Sequence, residues 1–542
     1  MGLVLAPKSL ANSEKGILVE ITGLKRMKKQ IYQTHIWIAG ISAIPLLLWC
    51  ISAVMHPLMV WTSPEPAIKS IEQQVFPDRL QVSLAEALNR HELTRITSLG
   101  ITQLGEKQYY RVGVEGSPHF TYLETETGEL LTEGERLHAE SLARKFSGDT
   151  ASSVVSIEPI TQFAGEYTSS GQFLPVMKVQ LGRDDGMRAY VDLTGDRLAT
   201  LIDNQRSWLL WIFKAFHTWE IPGMPEIVRA WGLAIFCFLV LIGAATGLIV
   251  YVVMWKNLGK GKGAATPRGR LRTVHRLAGV FVSLAMLIFA FSGMFHALVQ
   301  GIKPDLKHLR PSDTFLASDL SLAIPDALKK ANVTGPVQNI SLAMLETGPH
   351  YLILRKPERR KQFPPVPVNA TTGEVAVDGD LEQVRRIAKT YFTPESLKEA
   401  EVTRLTSFSM EYIPRNRRLP VVKVAKATGE SIFIDPVDGA IAYSTSPVGR
   451  WESLSFSWLH KWRFLDQAGF SREVRDSIMV CFVTLGGMVS MTGGILLMYR
   501  NPLRKRRKAI QTIALESSEE VTTTSVEQHI EKIPETVQLR DA

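Results

Sequence analysis

The chain has 542 residues, of which 45% are hydrophobic and 21% charged, and its mean hydropathy is +0.04. That balance is too apolar for an ordinary soluble protein and too polar for a chain made only of membrane helices. The formal net charge of +9 sits largely in short Lys/Arg runs beside apolar stretches, so it reads as membrane topology and makes no case for nucleic acid.

Four apolar runs without Asp, Glu, Lys or Arg stand out: Ile36–Trp61, Ala230–Trp255, Leu277–Ile302 and Ser477–Tyr499. Each exceeds the roughly 20 residues a helix needs to cross about 30 Å of hydrocarbon. In chain order the reading is an N-terminal segment (1–30), a first span (31–61), and a polar domain ending in an aromatic helix (62–225). A second span (226–255), a loop (256–272) and a third span (273–302) follow. A second polar domain (303–474), a fourth span (475–500) and a tail (501–542) complete the chain. The tail is Thr/Glu/Ser-rich and is expected to be disordered. "LKRMKKQ", "WKNLGKGKGAATPRGRLR" and "RNPLRKRRK" all fall on one side of a four-span chain. Positive flanks mark the cytoplasm, so both termini are expected there and both polar domains outside. The first run is too long for a cleaved signal and is read as retained. Cys50, Cys237 and Cys481 all lie in apolar runs, which leaves histidine to hold any metal cofactor.

The chain matches itself. His35 and His275, and His56 and His296, are each 240 residues apart, with Ser52-Ala53 and Ser292-Gly293 ahead of the second histidine. "YLETETGELL" aligns with "VPVNATTGEVAV", and "EYTSSGQFLPVMKV" with "EYIPRNRRLPVVKV", both at an offset of 245. "WLLWIFKAFHTW" and "WESLSFSWLHKW" align at 243, pairing Trp208/Trp451, Phe213/Phe456, His217/His460 and Trp219/Trp462. The returning spans share Thr246-Gly247 and Thr492-Gly493. The expected fold is a membrane α-helical protein: four spans in two tandem repeats, each repeat carrying an external α+β domain. Strand-like runs ("QYYRVGVEG", "MRAYVDLTG", "ESIFIDPVDG") alternate there with helical ones ("SLAEALNRH", "ERLHAESLARKF", "LEQVRRIAKTYF").

Six of the twelve histidines form repeat pairs in or beside the spans. His35 and His56 are 21 residues apart, as are His275 and His296. On a helix that is about 31 Å of rise with the side chains only about 60° apart. A two-fold axis would set His35 near His275 on the cytoplasmic side, and His56 near His296 outside, as bis-His ligation of a haem iron requires. Interfacial anchoring, a proton relay and zinc are the competing readings. The relay has no carboxylate in the apolar runs, and zinc wants clustered ligands. His217 and His460 lie in aromatic amphipathic helices, which can rest at the interface or wall a cofactor pocket. The Thr-Gly pairs read as helix packing and Glu166-Tyr167/Glu411-Tyr412 as structural. No Walker motif and no strand-linked GxGxxG is present.

"THIWIAGISAIPLLLWCISAVMHPL" and "VHRLAGVFVSLAMLIFAFSGMFHAL", with "FKAFHTW" and "SWLHKWRF", resemble signatures of the PepSY-associated transmembrane family, and "SLAEAL…YYRVGV…YLETETGELL" resembles a PepSY domain. The resemblance covers roughly residues 30 to 502. It implies a bacterial inner-membrane protein with PepSY-like periplasmic domains, linked to iron uptake, and akin to haem-containing reductases that release iron from ferric siderophores. By position it implies haem ligands among His35, His217, His275 and His460, with His56 and His296 added by repeat symmetry. The expectation is an oxidoreductase with two or more haems b. It takes electrons from a cytoplasmic or quinol donor and passes them to a ferric siderophore or other periplasmic acceptor. The alternative is a membrane-anchored PepSY module that binds or inhibits envelope peptidases, without redox activity.

Overall fold

The computed structural model describes residues 8–168, 173–255, 266–302, 313–358, 362–409, 411–413 and 419–499. The tail from 501 and most of the expected loop at 256–272 lie outside the described residues. Among the described residues four helices are long and apolar enough to cross a membrane: α1 (Lys8–Trp61), α5 (Glu226–Met254), α6 (Pro267–Ile302) and α12 (Arg472–Met498).

Between α1 and α5 the chain forms α2 (Leu84–Arg90), β1 (Arg95–Leu104), β2 (Lys107–Val114), β3 (Phe120–Glu124) and α3 (Gly134–Ser147). The meander β4 (Val154–Ile160), β5 (Val176–Leu181), β6 (Arg188–Asp192), β7 (Arg197–Ile202) and the aromatic helix α4 (Asn204–Phe216) follow. After α6 the same order of elements runs again. It begins with a short β8 (Phe315–Leu316), then α7 (Ile324–Lys330), β9 (Val337–Leu345), β10 (Gly348–Arg355), β11 (Val366–Asn369) and α8 (Gly379–Ala388). A one-turn α9 (Pro394–Lys398) leads to the meander β12 (Glu401–Leu405), β13 (Val421–Ala425), β14 (Ser431–Ile434) and β15 (Ile441–Thr445). The aromatic helix α10 (Pro447–Ser455), a π-helical turn (Phe456–His460) and α11 (Phe464–Gln467) precede α12.

Tertiary packing divides the chain into two units, with boundaries at Ile51/Ser52, Ala234/Ile235, Phe291/Ser292 and Asp476/Ser477. In the helical unit small residues let the helices approach. Gly486 leaves room for Met286 and Cys50, Gly40 faces Leu497, and Ser490 Oγ donates to the Ala43 carbonyl at 2.6 Å.

The other unit carries four antiparallel sheets. Ser83 caps α2 by accepting the Glu86 N–H, and Leu84, Ala87 and Leu88 then face inward at helical spacing. In the second half α7 buries Ile324, Ala327 and Leu328 by the same spacing. These two helices do not have separate cores. Leu84, Leu88, Ile96, Tyr110, Ile324, Ile340, Tyr351 and Val368 belong to one buried cluster. β8 pairs with the outer edge of β1, and the Val75 N–H donates to the Val337 carbonyl at 2.9 Å. The two polar segments, read separately along the chain, are thus joined across their first sheets. The meanders keep their own cores: α3 lies on β4–β7 through Leu142, Ala143 and Phe146, and α8 on β12–β15 through Val384, Ile387 and Ala388.

A buried polar network ties the first sheet to the β6–β7 turn. Asp196 takes His138 Nε2 at 3.0 Å, Thr102 Oγ1 at 3.2 Å and Arg111 Nη1 at 3.5 Å. The Tyr122 hydroxyl lies 2.9 Å from His138 Nδ1, and burial pushes the hydroxyl up, so it stays protonated. Burial alone would raise Asp196, yet His138 and Arg111 hold its carboxyl below the usual carboxylate range.

A carboxyl depressed in the folded state contributes stability above its unfolded value of about 3.9 and loses it as pH falls through the folded value. Protection of the β1 and β2 amides from hydrogen exchange, relative to the intrinsic rate at each pH, should therefore fall below about pH 4. At neutral pH Asp196→Asn should cost about 3–5 kcal/mol, because Arg111 keeps its charge without a carboxylate, and the acid dependence should flatten. An unchanged acid profile in that variant would remove Asp196 as its source.

Candidate functional site

The helical unit brings His35 of α1 and His275 of α6 face to face, ring centroids 6.5 Å apart and planes at 50°. Each Nδ1 is held by the returning helix of its own half. His35 Nδ1 lies 3.0 Å from the Gly243 carbonyl and 3.3 Å from Thr246 Oγ1. His275 Nδ1 lies 3.1 Å from the Val489 carbonyl and 3.2 Å from Thr492 Oγ1. A carbonyl can only accept, so it fixes the proton on Nδ1 and leaves the Nε2 lone pair for coordination. The residue after each threonine is the glycine that clears space. A Cβ on Gly247 would stand 3.1 Å from His35 Cε1, and one on Gly493 would stand 3.0 Å from His275 Cε1. The Thr-Gly pairs, read along the chain as helix packing, are the seats of the two imidazoles.

The second unit holds another pair. His217, at the C-cap of α4, and His460, closing the π-helical turn, have ring centroids 6.5 Å apart with planes at 71°. Each is reached by a serine from the incoming helix: Ser52 Oγ is 3.4 Å from His217 Nδ1, and Ser292 Oγ is 3.1 Å from His460 Nδ1. Both serines are fully buried. Phe213 stacks on His217 at 4.6 Å and Phe456 on His460 at 4.7 Å, one helical turn earlier in each case. Two residues beyond each histidine, Trp219 (φ 53°) and Trp462 (φ 48°) take the left-handed backbone conformation. Bulky residues take it only where the surroundings over-determine it, which ends both aromatic segments immediately after their imidazoles.

Among the outer histidines, whose pairing the sequence leaves open, the structure brings His217 and His460 together. His56 lies against Phe213 at 5.9 Å, and His296 stacks on Phe456 at 4.1 Å. His296 Nδ1 is 2.5 Å from Glu452 Oε1, a carboxylate that repeat symmetry does not reveal because its counterpart is Leu209. A spacing of 21 residues on one helix fixes which face a side chain takes, but not which neighbouring element supplies its partner.

Two imidazoles binding one metal through Nε2, with bonds of about 2 Å and ring centres about 1 Å further out, have centroids about 6 Å apart. Both pairs have that separation. Among the described residues no group of three or more His, Cys, Asp or Glu side chains is placed to hold a metal ion. Two opposed imidazoles at that separation supply two ligands, and any further ligands would have to come from the bound group itself. Glu166 and Glu411 prove to be ion-pair partners, the first of Arg188 and the second of Lys423 and Arg450.

One protein family, described as the PepSY-associated TM region, matches residues 32–340, more than half of the chain. His35, His56, His217, His275 and His296 fall inside the match, and His460 lies beyond it. No curated protein matches the chain.

The glycine seats generate a direct contrast. Gly493→Val drives two further methyls toward His275 and should lower stability in detergent by about 1–3 kcal/mol, read as a lower melting temperature. Gly494→Ala, whose added Cβ meets nothing within 4 Å, should leave the melt unchanged or raise it.

Proposed function

The chain is a membrane protein of the PepSY-associated TM region family, and from that premise we propose that it is a haem b oxidoreductase of the bacterial inner membrane. It passes electrons to a periplasmic acceptor, foremost a ferric siderophore, from a cytoplasmic or quinol donor. The carrying observation is the two imidazole pairs, each at 6.5 Å between centroids and each with its Nδ1 atoms engaged by the protein. The same element order in both halves, with matched serines, glycines and left-handed tryptophans, supports a tandem duplication, and the Lys/Arg runs beside the spans favour both polar domains in the periplasm.

In this reading His35 and His275 hold one haem and His217 and His460 a second; His56 and His296 are assigned no iron. When bound, haem iron exchanges one electron at a time between ferric and ferrous states. The protein does the rest. Gly243, Thr246, Val489 and Thr492 keep His35 and His275 in the coordinating tautomer, and their hydrogen bonds raise the basicity of the ligand nitrogen. Gly247 and Gly493 let the returning helices close on the rings. Phe213 and Phe456 lie flat against the second pair and limit ring rotation. At the acceptor, hard oxygen donors hold Fe(II) less tightly than Fe(III), so release needs no hydrolysis of the chelator.

The test is an oxidised and a dithionite-reduced absorption spectrum of the detergent-purified protein, with haem measured per chain. Two haems b are expected. His35→Ala or His275→Ala should lose one, His217→Ala or His460→Ala the other, and His56→Ala should retain both. A colourless protein expressed with ample haem would overturn the proposal and leave peptide binding by the PepSY-like domains in its place.

A further inference from the structure

The two halves differ beside the second imidazole pair. The first has buried Leu209 on α4, and the second has buried Glu452 at the matching position on α10. Glu452 is 8% exposed and lies 2.5 Å from Nδ1 of His296, whose side chain is 36% exposed. The carboxylate is shut away while the imidazole it orients is open. The carboxylate takes the Nδ1 side of the ring, which leaves Nε2 as the nitrogen for any proton exchange. His296, Phe456 and His460 form one continuous stack, with successive centroids 4.1 and 4.7 Å apart. Besides Glu452, the structure places Lys461 on this stack, its Nζ 4.8 Å from the Phe456 centroid.

A buried carboxylate needs a partner, and on an imidazole Nδ1 it fixes the tautomer and stabilises the imidazolium. That is the arrangement of a general acid–base pair, here one aromatic ring away from a histidine assigned to iron.

Resting on the haem-reductase reading, we propose that His296 is the catalytic acid of the acceptor reaction and that Glu452 is its positioning residue. The acceptor's ferric centre, held by a deprotonated chelator oxygen, takes up the single electron that a haem held by His217 and His460 would supply. His296 gives its Nε2 proton to that oxygen as the iron–oxygen bond breaks. Water then returns a proton to Nε2, so each turnover consumes one electron and one proton and yields Fe(II) and a protonated chelator oxygen.

The experiment pre-reduces the haem-loaded protein and follows its oxidation in a stopped-flow cell by two acceptors. One is a ferric trihydroxamate, whose oxygens take protons on release, and the other is ferricyanide, which takes none. Glu452→Gln, Glu452→Leu and His296→Gln should keep both haems and oxidise with ferricyanide within about twofold of the parent. With the trihydroxamate they should slow roughly 100-fold and lose the solvent deuterium isotope effect of the parent. In the haem-free protein the low-field proton of the Glu452–His296 hydrogen bond, seen by NMR, should vanish in all three. Equal slowing with both acceptors, or slowing with neither, would overturn the acid role. A parent protein without haem would instead remove the reading beneath it, and the spectrum reports that separately.

Discussion

A polar N–H placed among membrane-spanning helices has to find an acceptor within the protein, because hydrocarbon offers none. The helical unit is arranged around that requirement. His35 and His275 on the incoming spans are each answered by a backbone carbonyl and a threonine on the returning span of the same half. The threonine hydroxyl also bonds its own helix: Thr246 donates to the Ile242 carbonyl at 2.7 Å and Thr492 to that of Met488 at 2.9 Å. The cost of keeping a histidine in a span is thereby met by the same contact that aims its other nitrogen. Stability and ligand orientation cannot be separated at these positions.

The second pair is built by different means. Its imidazoles stand at the ends of aromatic segments, held by stacking and by a serine hydroxyl that can either donate or accept. A hydroxyl imposes no tautomer, so the aromatic faces and the left-handed tryptophans carry more of the positioning there. One pair is locked chemically, by carbonyls, and the other sterically, by rings. The asymmetry at Leu209 and Glu452 falls on the sterically held pair, where a change of side chain disturbs no backbone hydrogen bond.

Much of this was legible in the sequence. Unbroken apolar length marks the four spans, β-branched and aromatic residues mark β2, β6 and β14, and internal alignment isolates the six histidines from the other six. Four features were not legible, each for a physical reason. The His217–His460 pairing depends on where a π-helical turn points a side chain, and no periodicity encodes that. The role of Thr246-Gly247 and Thr492-Gly493 was hidden because small residues serve helix packing and cofactor clearance equally well. Glu452 escaped because matching repeats finds what is the same, whereas this carboxylate matters for being different. The core shared by α2 and α7 was hidden too, since strands and short helices do not declare distant partners.

That shared core carries a consequence for how the protein is made. The apolar face of α2, the free edge of β1 and the backbone of Val75 are completed only by residues from 315 onward. A ribosome must therefore finish two further spans before the first polar segment can close. During that interval an open strand edge and a row of leucines wait in solvent, the surface that holding chaperones recognise and that neighbouring chains can pair with. The joint that makes the two halves one body thus makes the order of synthesis part of the folding problem.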